Sequence, residues 1–188
     1  MMFESLSKNK LAYLKSLQQS KFRQKYRKFV VEGYKSVSEF LKYKIFTVES
    51  IIFSDNEIQV NTDIPKDKIF HCKSSEMEQI SNLVQPTTIL AVFDMIDYTF
   101  ADCLSDKGPI LLLDGIQDPG NCGTIIRTAD WFGLKSIIRT PQTADFYHPK
   151  VVQATMGSLN NIKFSTMVDL DQLTKSRKTI VGDRKSVV

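Results

Sequence analysis

The stretch from Leu111 to Gly133, LLLDGIQDPGNCGTIIRTADWFG, constrains the fold more than any other part of this 188-residue chain. Ile110 and the three leucines after it form a short apolar run, which predicts a strand buried on both faces and closed by Asp114 and Gly115. Asp118, Pro119, Gly120 and Asn121 then predict a turn. A helix is expected to begin near Asn121, whose side chain can cap free amides, and to end near Gly133, which suits the left-handed position past a helix end. Ile125, Ala129 and Phe132 stand at helical spacing and are expected to face the core. Arg127, about 200° round the helix from Ile125, is expected to point away from it.

The rest of the chain reads as alternating strands and helices, which predicts layered α/β architecture. Strands are expected at Phe29–Val31, Glu49–Phe53, Lys68–Cys72 and Thr87–Phe93, with helices at Gly33–Leu41 and Ser75–Leu83. Residues 1–95 are assigned to a first domain, 96–109 to a linker ending near Gly108-Pro109, and 110–182 to part of a second domain. In that second part, strands are expected at Ser136–Ile138 and Ile162–Phe164, and helices at Pro149–Met156 and Leu170–Lys175. Trp131 is expected in the core.

A composition of 42% hydrophobic and 24% charged residues is that of an ordinary globular protein. No apolar run reaches membrane-spanning length and the N-terminus lacks the order of a signal peptide, so the expected location is cytoplasmic. Cys72, Cys103 and Cys122 are isolated and His71 and His148 stand far apart, a pattern that argues against disulfides and against any structural metal. The net charge of +4 is unevenly spread: Met1–Lys28 carries eight Lys or Arg against Glu4 alone. Within it Lys21, Arg23, Lys25 and Arg27 interleave with Phe22 and Tyr26, a mixture able to contact phosphates and stack on unpaired bases. The same residues also fit a solvated face of an amphipathic helix with Leu11, Leu14 and Leu17 inward.

Asn121, Gly123, Arg127 and Ala129 match an N-x-G-x-x-x-R-x-A pattern behind a D-P-x-N turn, and here the sequence resembles the first motif of the SpoU/TrmH family of RNA ribose 2′-O-methyltransferases. The WFG closing the helix and the later YHPKVVQATMGS segment are similar to the family as well. FVVEG and the QPTTILAV strand resemble the L30e-like RNA substrate-binding domain that precedes the catalytic domain in many such enzymes. The resemblance implies an α/β fold of two parts: an N-terminal L30e-like domain, then the first half of a SPOUT-type, trefoil-knot methyltransferase domain. It implies S-adenosylmethionine as methyl donor, RNA as substrate, ribosomal RNA ahead of transfer RNA, and a homodimer.

The resemblance makes Arg127 and Asn121 the candidate catalytic residues, with Lys21, Arg23, Lys25, Arg27 and Lys150 as candidate RNA contacts. A guanidinium is a poor base, so Arg127 implies holding the 2′-hydroxyl with an adjacent phosphate as much as deprotonating it. Gly123 reads either as a permissive first-turn residue or as room for RNA or a dimer partner. His148 reads as a turn into the next helix, not a general base. Gln153 stands where many relatives have arginine, and Asn160-Asn161 replaces a commoner aromatic-arginine pair. The family's donor-binding segments, an N-E-G-x-G-like turn and an S-L-N-V-S-like helix, have no counterpart here, so no cofactor-binding residue is assigned. The last residues, Asp183–Val188, match no family feature and correspond to a sequencing-adapter string read in frame; they are expected to be a non-native tail. The alternative is an RNA-binding fragment without catalysis. A dinucleotide-binding reading fails because DGIQDPGNCG lacks G-x-G-x-x-G spacing.

Overall fold

In the computed structural model of the protein, residues 4–54 and 64–167, with Asp171, Thr179 and Val181, are described. The chain opens with β1 (Glu4–Ser5), α1 (Lys8–Ser16) and α2 (Ser20–Tyr26). The Ser7 hydroxyl caps α1 by accepting a hydrogen bond from the Lys10 amide at 3.2 Å. Leu14 and Leu17 are buried and Leu11 half-buried, as their spacing predicts. Arg27 ends α2 in the left-handed conformation, φ 56°, and turns the chain straight into β2 (Lys28–Glu32).

α3 (Tyr34–Tyr43), β3 (Val48–Phe53), β4 (Ile69–His71), α4 (Ser74–Ile80) and β5 (Ile89–Asp94) follow. The five strands form one mixed sheet in the order β1-β4-β3-β5-β2. β4 runs parallel to both its neighbours, whereas β5 is antiparallel to β2 and β3. Successive residues of β2 point to opposite faces. Val30 packs with Ile52, Leu90 and Val92 under Leu14, Leu17, Met77 and Ile80 of the α1 and α4 side. Phe29 and Val31 pack on the other face with Phe40, Phe46, Ile51 and Phe93. Both faces are covered, which explains why FVV is a continuous apolar run and not an alternating one.

α5 (Phe100–Leu104), β6 (Leu111–Leu113), α6 (Pro119–Trp131), β7 (Ser136–Arg139), α7 (Pro149–Thr155) and β8 (Lys163–Thr166) make the second part. Among the described residues its strands are all parallel, in the order β6-β7-β8. α5 falls inside the expected linker, 96–109, yet it is capped by Thr99 and buries Cys103 against Ile138 and Met167 of the second part. This stretch is therefore more than a tether.

The two parts share one core. Phe29 of β2 meets the Tyr147 ring at 4.7 Å between centroids, and Tyr147 meets Phe164 of β8 at 5.2 Å. The Tyr147 hydroxyl donates to the Ile96 carbonyl at 3.0 Å and accepts from the Ile96 amide at 2.8 Å, pinning the chain between the parts.

Three local expectations are corrected. Leu111 and Leu112 are half-buried and only Leu113 is buried, because β6 stands at the edge of its sheet among the described residues. The inward stripe of α6 is Cys122, Ile126 and Ala129, while Ile125 is half-buried. Phe132, outside the helix as its C-cap, is 76% exposed and Trp131 is 87% exposed, so neither is core. The helix expected over Leu170–Lys175, apart from Asp171, and the tail Asp183–Val188 lie outside the described residues.

Candidate functional site

β6 runs into a loop, Asp114–Asp118, with Gly115 at φ +67° where a side chain would be strained, and the loop feeds α6. α6 begins two residues before the expected start. Asp118 is its cap, accepting from the Asn121 amide at 2.7 Å, and Pro119 occupies the first turn where its missing N–H costs nothing. Asn121 is therefore not the cap: its amide is bound inside the first turn and its side chain is exposed. The Asp-Pro pair was the available signal, since proline favours the first helical position.

Close packing on α7 fixes which way α6 faces. A Cβ added at Gly123 would lie 2.5 Å from the Ala154 Cβ and 2.6 Å from the Val151 carbonyl oxygen. The absent side chain thus serves helix contact, and α7 already fills the room imagined for RNA or a partner. With that face buried, Asn121, Thr124, Arg127 and Thr128 are left on the solvent side. Thr124 and Thr128 turn their hydroxyls back to the carbonyls of Gly120 and Thr124, both at 2.9 Å. Arg127 is exposed, and the two carboxylates nearest in sequence are engaged elsewhere: Asp118 on the Asn121 amide, Asp130 on the Asn161 amide nitrogen at 2.9 Å. Asn121 and Arg127 are separated by about 9 Å along the helix axis. An open concavity of about 400 Å³ lies beside Asn121, bounded by Gly115–Asp118, Thr124 and Ile125.

The basic N-terminal residues separate into two kinds. Lys21 and Lys25 are exposed, with their ammonium groups over the rings of Phe22 at 4.9 Å and Tyr26 at 5.3 Å. Arg23 is the correction: it is 1% exposed, pairs with Asp145 at 2.7 Å, and donates to the carbonyls of Leu17 and Gln18. A guanidinium so enclosed holds the two parts of the chain together and offers no face to a phosphate. Arg27 is half-buried and pairs with Asp97 and Gln24. Lys10 and Lys28 flank Glu49; burial works against that carboxylate, but the two lysines and the Tyr13 hydroxyl hold its pKa below the usual range.

Lys150 is exposed near the start of α7, and its amide donates to His148 Nδ1 at 3.2 Å, so His148 is a helix cap. Burial, with Arg23 and Lys150 nearby, pushes the imidazole below its ordinary value. Lys150 and Gln153 border a groove with Glu32 and Asn82. Glu32, buried at the end of β2, accepts from Ser81 Oγ at 2.6 Å and from the Asn82 amide at 3.0 Å, tying the turn after α4 to the sheet. Its role leaves no mark in the sequence beyond a charged residue ending an apolar strand. Burial raises the Cys122 thiol to about 11, which keeps it inert. The α2 helix that carries Lys21 and Lys25 is joined to the parallel unit through the Arg23–Asp145 pair.

The fold and this face define an α/β protein of two parts, a mixed-sheet domain and a parallel unit presenting asparagine and arginine from the helix after its first strand. Residues 108–182 match the SpoU rRNA Methylase family and residues 8–91 match the MRM3-like substrate binding domain. The chain belongs to the SpoU methylase family. It is 30% identical over 156 residues to the 23S rRNA (guanosine(2553)-2'-O)-methyltransferase RlmP of Bacillus subtilis, covering 82% of this chain and 60% of RlmP. A solved structure described as "a putative RNA methyltransferase of the TrmH family from Porphyromonas gingivalis" superposes with a TM-score of 0.74 at 34% identity, covering 89% of this chain and 66% of that one. The AdoMet-bound rRNA methyltransferase of Sinorhizobium meliloti gives 0.73 at 26% identity, with 87% and 63% covered. The chain spans 38% of the length of the human mitochondrial rRNA methyltransferase 3, to which it is 30% identical, and 60% of RlmP.

Proposed function

We propose that the protein serves S-adenosylmethionine-dependent methylation of a ribose 2′-hydroxyl in RNA, with ribosomal RNA as the substrate. The observation that carries this reading is the solvent face of α6, where Arg127 and Asn121 are exposed and neither Asp118 nor Asp130 pairs with the guanidinium. RlmP supports ribose chemistry on ribosomal RNA, and the AdoMet-bound relative supports the donor. The donor supplies an electrophilic methyl group. The open concavity of about 400 Å³ beside Asn121 is bordered by Gly115, Ile116 and Gln117. The exposed Arg127 and Asn121 side chains serve the acceptor.

Methyl transfer requires the 2′-oxygen to be aligned and to lose its proton as the new bond forms. A guanidinium is a poor proton acceptor, so Arg127's part is to grip the phosphate next to the target ribose and favour the oxyanion that develops, while the 2′-hydroxyl proton passes to an oxygen of that phosphate and on to solvent. Asn121 adds a neutral donor and acceptor to fix the sugar. Lys21 and Lys25, over Phe22 and Tyr26, hold the RNA at a distance from the reacting group. A knotted, homodimeric catalytic unit acting in the cytoplasm completes this reading.

Transfer of tritiated methyl from S-adenosylmethionine to unmodified ribosomal RNA, followed by nuclease digestion and mass spectrometry, tests it. A single 2′-O-methylated nucleotide is expected; base methylation, or preference for transfer RNA, contradicts the reading.

A further inference from the structure

The Asp114–Asp118 loop is held from one side by hydroxyls of the segment after β7. Thr143 is 3% exposed; its Oγ1 donates to the Leu113 carbonyl at 2.9 Å and accepts from the Ile116 amide at 3.2 Å. The neighbouring Thr140 Oγ1 accepts from the Gly115 amide at 3.1 Å. Backbone bonds complete the bracket, from the Thr140 amide to the Leu113 carbonyl at 2.9 Å and from the Ala144 amide to the Ile116 carbonyl at 2.8 Å. The Thr143 carbonyl is fixed in turn by Arg139 Nη1 at 2.7 Å. A loop leaving an edge strand has no neighbouring strand to satisfy its amides, and leaving a half-buried amide such as that of Ile116 without a partner is costly. The two threonines take the place of that strand.

We propose that Thr143 is a positioning residue: its hydroxyl sets the Asp114–Asp118 loop, and with it the Asp118 cap and the Asn121 side chain, in the geometry that methyl transfer needs. This rests on the ribose-methylation reading above. Removing the hydroxyl isosterically orphans the Ile116 amide, while the Leu113 carbonyl keeps its bond from the Thr140 amide. The Thr140 hydroxyl also loses its 3.4 Å contact with Thr143 Oγ1, so the fault falls on the loop and its threonine bracket, with α6 still seated on α7.

The test compares Thr143→Val and Thr143→Ser in the full-length protein, with Ile137→Val as a core control matched for reduced stability. Amide hydrogen exchange and single-turnover methylation of ribosomal RNA are measured on each. For Thr143→Val the expected result is at least about tenfold faster exchange at Ile116. Turnover is expected to fall roughly 10²-fold, as for a small misplacement of reacting groups, with KM for RNA little changed. Thr143→Ser restores both and Ile137→Val leaves turnover near that of the wild type. Unchanged exchange at Ile116, unchanged turnover in the valine variant, failure of serine to rescue, or an equal loss in the control each overturns the proposal. A wild-type protein that transfers no methyl group fails the underlying reading instead, and the exchange data separate that outcome from a loop that Thr143 does not hold.

Discussion

Arg23 on α2 and Asp145, just ahead of α7, form a 2.7 Å ion pair that joins the N-terminal part of the chain to the parallel unit. The arginine is almost fully enclosed, so removing it leaves Asp145 short of a partner and the Leu17 and Gln18 carbonyls without its donors. Arg23→Ala is expected to cost about 3 kcal/mol in denaturant unfolding, as breaking a buried pair does. Arg23→Lys should not rescue it, because one ammonium cannot replace the guanidinium fork. A loss no larger than that of the exposed-site variant Lys25→Ala contradicts the assignment.

The exposed lysines of α2 behave differently. Lys21→Ala with Lys25→Ala is expected to leave the melting temperature nearly unchanged and to weaken RNA binding. The slope of log affinity against log salt should flatten by about 0.7 for each phosphate of a single strand that the lysines no longer neutralise. An unchanged slope returns these lysines to an ordinary solvated face.

Gly123→Ala is expected to be far more damaging than its size suggests. The new methyl group meets the Val151 carbonyl at 2.6 Å and the Ala154 Cβ at 2.5 Å, backbone and a short side chain that cannot swing aside. Overpacking of this kind costs about 1–3 kcal/mol and shifts α6 on α7. Thermal melts check the cost, and a neutral substitution contradicts the close crossing.

His148 gives the fold a pH dependence. The folded protein favours the neutral ring, whose Nδ1 accepts from the Lys150 amide, and burial with Arg23 and Lys150 lowers its pKa below the ordinary 6.5. The unfolded chain therefore binds the proton more readily, so this contribution is complete above the unfolded pKa and is lost as pH falls through the folded one. Melting temperature is expected to drop between about pH 7 and pH 5, and His148→Asn, which keeps a capping oxygen, to flatten that drop. Equal slopes in both proteins contradict the cap.

The alternation of strands and helices, the left-handed end of α6 at Gly133 and the exposure of Arg127 were legible in the sequence because each depends on local chemistry. The inward stripe of α6 was not. Of the expected stripe only Ala129 is buried; Cys122 and Ile126 face inward in place of Ile125 and Phe132 because contact of Gly123 with Val151 and Ala154 sets the rotation of the helix. Arg23 sits in a row of basic residues with nothing to distinguish it, and only the distant Asp145 decides that it is buried. Thr140 and Thr143 were invisible for the same reason: their partners belong to a loop some twenty-five to thirty residues earlier.

Arg127 carries the central claim. In the full-length protein, Arg127→Ala is expected to melt as the wild type does, since an exposed side chain contributes little to stability. Single-turnover methyl transfer to ribosomal RNA should fall roughly 10²–10⁴-fold, the usual loss when a positioned proton-transfer or charge-stabilising group is removed. Wild-type turnover in Arg127→Ala, with folding and RNA binding intact, would contradict the account.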